Sequence, residues 1–491
     1  MHSSSRHSVF SLWVLFLSLA FFLCILTVLD RAGLPIVFIE LATAFLLWFC
    51  VCATGFMALT LRPSHFFGRD GRSGFMGNSA LYVLFCLIFA ASQTATDFNF
   101  SPVMAVSGIG AFSAALLFAP KFRRSGAYTL NDFMRGRFQH WLPSLVIFVS
   151  SFLCFGLLAS ACFAIIMENL TNEFGISVEI AIASVGFAAT FAAFAGGLSS
   201  IVLTALLLCL VLFLTLVSTT GLIYFQQPTL HSFHVFSDML VTRSDIIGAF
   251  GAISGIAGLM YALGFWNTET SQKTEYKKLA KTVGIGLAFL FTIIIGTDFI
   301  HHTALKADAV QIFPLILGKL YGLFPVFIGF FGLCLSLFGL SALLGHSIFY
   351  QHIRPKSTSS LRLAAIRLTW LSSFLVVSDV SQIISISPVF LLHVSLAVAA
   401  GTIAPIILIS LFSRAGSLTA NLTLAAGTVV TAILIFAIPE TPLLAGTAGF
   451  FAACFVGTAG LASCPPSEKE LDFAQKLHTK NYEPLIINQD M

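Results

Sequence analysis

The sequence predicts an all-α polytopic membrane protein with about fourteen transmembrane helices, one per long apolar run. Of its 491 residues 57% are hydrophobic, and the mean hydropathy is +0.95. Only 9% are charged. Runs of about 20 apolar residues recur along the chain, which is the length a helix rising 1.5 Å per residue needs to cross a hydrocarbon core of about 30 Å. A soluble protein would need amphipathic elements to cover such helices, and almost none are present.

Apolar runs set against polar breaks place the spans near 10–29, 35–60, 78–93, 101–120, 143–167, 176–194, 200–224, 246–264, 282–300, 324–350, 361–378, 387–412, 418–438 and 443–462. The first run follows MHSSSRHS and ends at Asp30-Arg31 without a small-x-small cleavage site, so it is read as a span and not as a signal peptide. Positive charge checks the count, because one wrong span inverts every later loop. With the amino terminus inside, inside loops and tails hold 21 of the 25 Lys and Arg residues. Arg31, Arg243, Lys306 and Lys319 are the exceptions. Both termini are therefore expected in the cytoplasm, in an inner (plasma) membrane of bacterial type. The longest segment outside the spans, from Ser463 to Met491, is too short for an enzyme module.

The net charge of +4 is scattered over short loops and forms no nucleic-acid stripe. The ten cysteines lie mostly in apolar runs without metal-ligand spacing and read as packing residues, giving neither disulfides nor a metal site. No HExxH, GxSxG or P-loop occurs, which argues against an enzyme.

One inside loop is chemically unusual. In YTLNDFMRGRF, residues 128–138, Thr129 is placed to cap a short interfacial helix, with Asp132 three residues on completing a capping box. Arg135 and Arg137 have a plainer reading as topological charges near anionic headgroups. The order Tyr-Thr-x-x-Asp-Phe-x-x-x-Arg-Phe resembles a cytoplasmic motif of the sodium:solute symporter family, with Thr129, Asp132, Arg137 and Phe138 matching position by position. Three further elements occur in the family's order. They are Phe66-Phe67-Gly68-Arg69 before span 3, the Gly196-Gly197 turn followed by Thr204, and Ala307-Asp308 with Pro314. The resemblance covers roughly residues 60–415 and is nearest to the acetate and short-monocarboxylate branch.

That resemblance implies a five-plus-five inverted repeat and a symporter of a small organic solute, driven by sodium, with protons as the alternative coupling ion. Its partners would be the solute, a monovalent cation and the bilayer. The transporter core would be 78–412, made of repeats 78–224 and 246–412. Residues 1–77 and 413–462 would be peripheral, and 463–491 a cytoplasmic tail. The first helix of each repeat would be interrupted. In span 8, with Gly248, Gly251, Gly255, Gly258 and Gly264, the chain is expected to unwind around Gly255–Gly258, making Ser254, Gly255, Gly258 and Tyr261 substrate-binding residues. The GxxxG spacing of Gly251 and Gly255 has close helix packing as its other reading. Ser336 and Ser341 in span 10 are the hydroxyl candidates for the cation, Ser336 having back-bonding to its own helix as the alternative. The sequence departs from the family pattern at Val83, Cys86 and Leu335, where polar residues are expected. His346 and His393, both in apolar spans, are candidates for a proton site. Glu40 reads as interfacial, and Asp298 with His301 and His302 as a solvated vestibule. A non-transporting receptor or scaffold on the same fold is the rival function.

Overall fold

The computed structural model describes residues 14–478 except 23, 27, 30–31, 33–35, 60–61, 70–73, 91–101, 173–174, 227–242, 269–274, 305–323, 356 and 384–385; at some helix ends it describes the backbone alone. In chain order the helices are α1 (Val14–Leu26), α2 (Ile36–Met57), α3 (Pro63–Phe66), α4 (Gly74–Ala90), α5 (Pro102–Ser125) and α6 (Leu130–Arg137). There follow α7 (Trp141–Asn172), α8 (Val178–Ala189), α9 (Leu198–Gln226), α10 (Arg243–Ala262), α11 (Glu275–Ala304), α12 (Phe324–Ser341) and α13 (Ser359–Ile383). The last are α14 (Pro388–Val398), α15 (Ala404–Phe412), α16 (Ser417–Ala437), α17 (Pro442–Ser463) and α18 (Glu468–His478). Each expected span coincides with a helix. Among the described residues, eight helices are long and apolar enough to cross a membrane, by length and composition alone.

Apolar side chains cover both the inside and the outside of this bundle. Phe436 is 87% exposed and Phe455 76%, as a lipid-facing surface requires once every backbone group is satisfied within its helix. The protein is an integral membrane protein.

Among the described residues, three helices wind into π-helical turns, at Thr190–Phe194 after α8, Ala342–Ile353 after α12 and Ala399–Ile403 between α14 and α15. The helix contacts repeat in pairs. Helix α4 packs on α9 and α11, while α10 packs on α14–α15 and α5. Likewise α7 meets α14, and α12 meets α9; α5–α11 and α7–α12 close the set. Pairing each of α4, α5, α7, α8 and α9 with the span five later maps these contacts onto one another. An odd number of spans per unit inverts the second unit in the membrane, so this is an inverted repeat. Outside it, α16 and α17 pack together and α17 seats on α10.

Candidate functional site

The expected interruption of the first helix in each unit is not there. Helix α4 is continuous over Gly74–Ala90 and α10 over Arg243–Ala262. The glycines of α10 serve packing: a Cβ on Gly255 would lie 2.4 Å from the Leu396 carbonyl oxygen, and one on Gly258 2.9 Å from that of Ala399. Ser254 donates to the carbonyls of Phe250 and Gly251 in its own helix. Tyr261 is buried, stacks on Phe122 and Trp266, and donates to the Ala114 carbonyl of α5 at 2.9 Å. Gly255, Gly258 and Tyr261 thus tie α10 to its neighbours, while Ser254 bonds back to its own helix. The chain does break after α10, at Gly264 (φ +74), before a 3₁₀ turn Phe265–Thr268.

The cation candidates are equally enclosed. Ser336 is fully buried, and its hydroxyl donates to the carbonyls of Gly332 and Leu333; Ser341 donates to Phe338. Val83, Cys86 and Leu335 are buried too, and Phe85 packs edge-on against Phe265. A hydroxyl that donates to its own helix keeps its oxygen lone pairs, so Ser336 retains the ability to accept a cation.

Polar chemistry gathers instead at the basic end of the bundle, where three motifs far apart in sequence meet. The capping box forms as expected: Thr129 Oγ1 accepts from the Asp132 amide, and the Asp132 carboxylate accepts from the amides of Tyr128 and Thr129. The loop before it is clamped from two sides. Arg69 donates from Nε to Asn267 Oδ1 at 2.8 Å and from its terminal nitrogen to the carbonyls of Gly126 and Ala127. Asn267 donates to the Tyr128 carbonyl, and Trp266 Nε1 to that of Ala127. Gly197 (φ +61) sits on Phe66, where a Cβ would fall 2.4 Å from the Phe66 carbonyl oxygen, and Gly196 is pressed in the same way on Ala58. Arg367 holds the turn they belong to through the carbonyls of Phe194 and Ala195.

Asp132 anchors a buried polar chain. His346 Nε2 lies 2.8 Å from Asp132 Oδ2, and Arg362 donates to His346 Nδ1 at 2.8 Å. Gln351 donates to Asp132 Oδ1 and accepts from Arg135 at 2.7 Å. His346 and Gln351 are five residues apart, which would splay them in an α-helix. They share a face because this stretch hydrogen-bonds in the i→i+5 pattern of a π-helix. Burial opposes ionisation of Asp132. His346, the Thr129 amide and Arg362 outweigh it and bring the carboxyl down to about 2.

Arg137 corrects its topological reading, since it is 1% exposed and lies inside the protein. Its guanidinium donates to the carbonyls of Ser410, Ser413, Ala415 and Glu470. The last of these belongs to α18 and draws that helix onto α6, where Phe473 meets Phe133. The Glu470 carboxylate accepts from the Ser417, Ser467 and Gln139 amides and from both serine hydroxyls. Burial works against its ionisation, yet the serine and amide donors hold its carboxyl below the ordinary range. A depressed carboxyl stabilises above its ordinary pKa, and that contribution is lost as pH falls through the lowered value. A spin label at exposed Gln475 is therefore expected to stay immobile at neutral pH and to gain mobility only as pH falls below the ordinary carboxylate range. Glu470→Gln is expected to be mobile at every pH.

The roles of Arg362, Arg367, Gln351, Asn267 and Glu470 were not foreseen from sequence. Arg362 and Arg367 had shown only as inside charges. His393 lies in α14, apart from the Asp132 chain's hydrogen bonds, and its Nε2 makes no hydrogen bond to a described residue. The Ala307–Pro314 element and the side chains of Glu40, Asp298, His301 and His302 lie outside the described residues.

An inverted repeat of membrane helices, clamped by a polar network at one end, defines the five-plus-five class of secondary-transporter folds. Residues 103–239 match the sequence model of the sodium:solute symporter family, a stretch that contains both the 128–138 motif and the Gly196-Gly197 turn. The family resemblance read from those motifs is thereby borne out. Among solved structures, a Na+-coupled sialic acid symporter in a substrate-bound outward-open state superposes with a TM-score of 0.63 at 13% identity, covering 87% of this chain and 98% of that one. A nucleobase-cation-symport-1 family transporter in a closed conformation gives 0.48 at 15%, covering 85% and 98%. A manganese transporter of Eremococcus coleocola gives 0.45 at 15%, covering 82% and 90%. The fold assignment rests on the first. No curated protein matches the sequence significantly.

Proposed function

We propose that this chain is a secondary active transporter that carries a small organic solute by alternating access, driven by a cation gradient. The observation that carries the reading is the convergence of the three motifs on one polar clamp that closes the basic end of an inverted-repeat bundle. In this reading that end is cytoplasmic, both termini lie on that side, and 78–224 and 246–412 are the two repeats. Sodium is the driving ion favoured by the family match, with the proton as its alternative. Ser336, with backbone carbonyls, is its proposed ligand. Ser254, Gly255, Gly258 and Tyr261 act in this scheme as the moving interface of α10 against α5 and α14, in place of direct solute contacts. A short monocarboxylate such as acetate is the proposed cargo.

Uptake of radiolabelled acetate, pyruvate and proline into proteoliposomes tests this, with a sodium gradient, a proton gradient or neither imposed. Gradient-driven accumulation of one solute is the expected result. Ser336→Ala is expected to raise the sodium needed for half-maximal uptake by about tenfold, the loss of one hydroxyl ligand being worth roughly 1.4 kcal/mol. Unchanged sodium dependence would remove Ser336 from the site.

A second reading, a receptor or scaffold that keeps the fold without transport, is favoured by the unbroken α4 and α10 and by the apolar Val83, Cys86 and Leu335. Failure of every gradient to move any solute in a wide screen would select it.

A further inference from the structure

The chain Arg362–His346–Asp132 has a fixed donor order. Arginine only donates, so His346 Nδ1 accepts from Arg362, and the imidazole proton sits on Nε2, donated to Asp132. The histidine is thus a neutral spacer between a cation and an anion, and both its nitrogens are used. All three side chains are buried, His346 fully. The groups facing it are Asp132 from α6, Tyr128 from the loop before α6, Arg362 from α13 and Tyr350 from its own π-helical turn. Tyr350 stacks on the imidazole and lies under the Arg362 guanidinium at 4.1 Å. Arg69 is stacked over Tyr128, and Arg135 reaches Asp132 through Gln351.

One more proton has two places to go. On Asp132 it would weaken an acceptor that serves Tyr128, Thr129, His346 and Gln351 together. On His346 Nδ1 it would displace the hydrogen bond from Arg362 and leave the pair with Asp132 intact as a charged pair. Two N–H donors cannot share the 2.8 Å line between Arg362 and Nδ1.

We propose that His346 Nδ1 is a proton-binding site at which a proton and the Arg362 guanidinium compete, so that proton uptake releases the start of α13 from the π-helical turn after α12 while α6 stays fastened through Asp132. The proton takes over from Arg362 as the counter-charge of Asp132. Close contact makes the coupling mechanical: Gly345 of the same π-helical turn abuts the Ile366 backbone, where even a Cβ would lie 2.5 Å from its Cα, so a shift of α13 there moves that turn. Helix α13 also grips the Gly196-Gly197 turn through Arg367, which carries the movement to α9. This deepens the transporter reading by giving its inner gate a ligand, and it rests on that reading only for its consequence.

Hydrogen exchange of the full chain in lipid nanodiscs tests it, at about pH 8 and about pH 5.5 with intrinsic rates corrected. Exchange across 359–366 is expected to rise about tenfold at the lower pH, while the Tyr128 and Thr129 amides, which donate to Asp132, keep their protection. His346→Gln offers an acceptor to Arg362 and a donor to Asp132 but takes up no proton; its 359–366 segment is expected to stay protected at both pH values. Should that variant fail to fold, Arg362→Met serves, with 359–366 open at both. A flat response in the native protein, a rise that includes Tyr128 and Thr129, or a pH response surviving in the variant used would each overturn the proposal. Solute uptake plays no part in this readout, so failed transport sinks the transporter reading without touching the proton site, and a flat exchange profile does the reverse.

Discussion

Arg137→Ala is expected to lower stability by roughly 3–5 kcal/mol and to free the tail helix α18 from α6, because four buried carbonyls lose charge-assisted donors at once. The carbonyls of Ser410, Ser413 and Ala415 cap the end of α15 and the turn into α16, and that of Glu470 opens α18. Neither water nor lipid headgroups reach a side chain that is 1% exposed. Arg137→Lys separates this role from topology. Lysine keeps the charge that would orient the loop, but it is a point charge without the planar fork that reaches carbonyls from three segments. Thermal unfolding in detergent is expected to rank native above Lys above Ala. A lysine variant as stable as the native protein would return Arg137 to a topological role.

Gly427→Leu is expected to be comparably severe. A Cβ at Gly427 would lie 1.9 Å from the Gly401 carbonyl oxygen, and Gly401 and Gly449 would each place a Cβ 1.9 Å from Thr431 Oγ1. Three segments, the π-helical turn after α14, α16 and α17, thus meet backbone to backbone through glycines, which lets membrane helices gain packing that the bilayer does not otherwise supply. The obstruction is backbone, which does not swing aside as a flexible side chain does. The loss is expected to exceed the usual overpacking cost of about 1–3 kcal/mol, with separation of α16–α17 from the core. Gly156→Ala is the control, since nothing lies within 4 Å of its added Cβ, and its unfolding midpoint is expected to be unchanged. Equal loss in both variants would show that close approach is not the cause.

What the sequence determined by itself was local or additive. Apolar run length placed a helix at each of the fourteen expected spans, because the length of an apolar run depends on consecutive residues alone. The Thr129–Asp132 capping box was legible because its two hydrogen bonds span three residues. The motifs resembled those of the symporter family, and residues 103–239, which hold two of the four elements, match that family's sequence model.

The tertiary structure decided everything that depends on which distant groups meet. Glycines in α10 read equally as an unwound pocket or as close packing; only the Leu396 and Ala399 backbones pressed on Gly255 and Gly258 select packing. Ser336 showed a hydroxyl at a suggestive place, and its orientation toward Gly332 and Leu333 could not be read from its neighbours. Arg137 and Arg135 are two residues apart in one basic run, yet one is buried among carbonyls and the other exposed, because the tail helix and the end of α15 cover only one of them. The Asp132 chain joins residues more than 200 positions apart through a π-helical winding that puts His346 and Gln351 on one face. A 3.6-residue periodicity separates that pair, so no amphipathic pattern could have announced it.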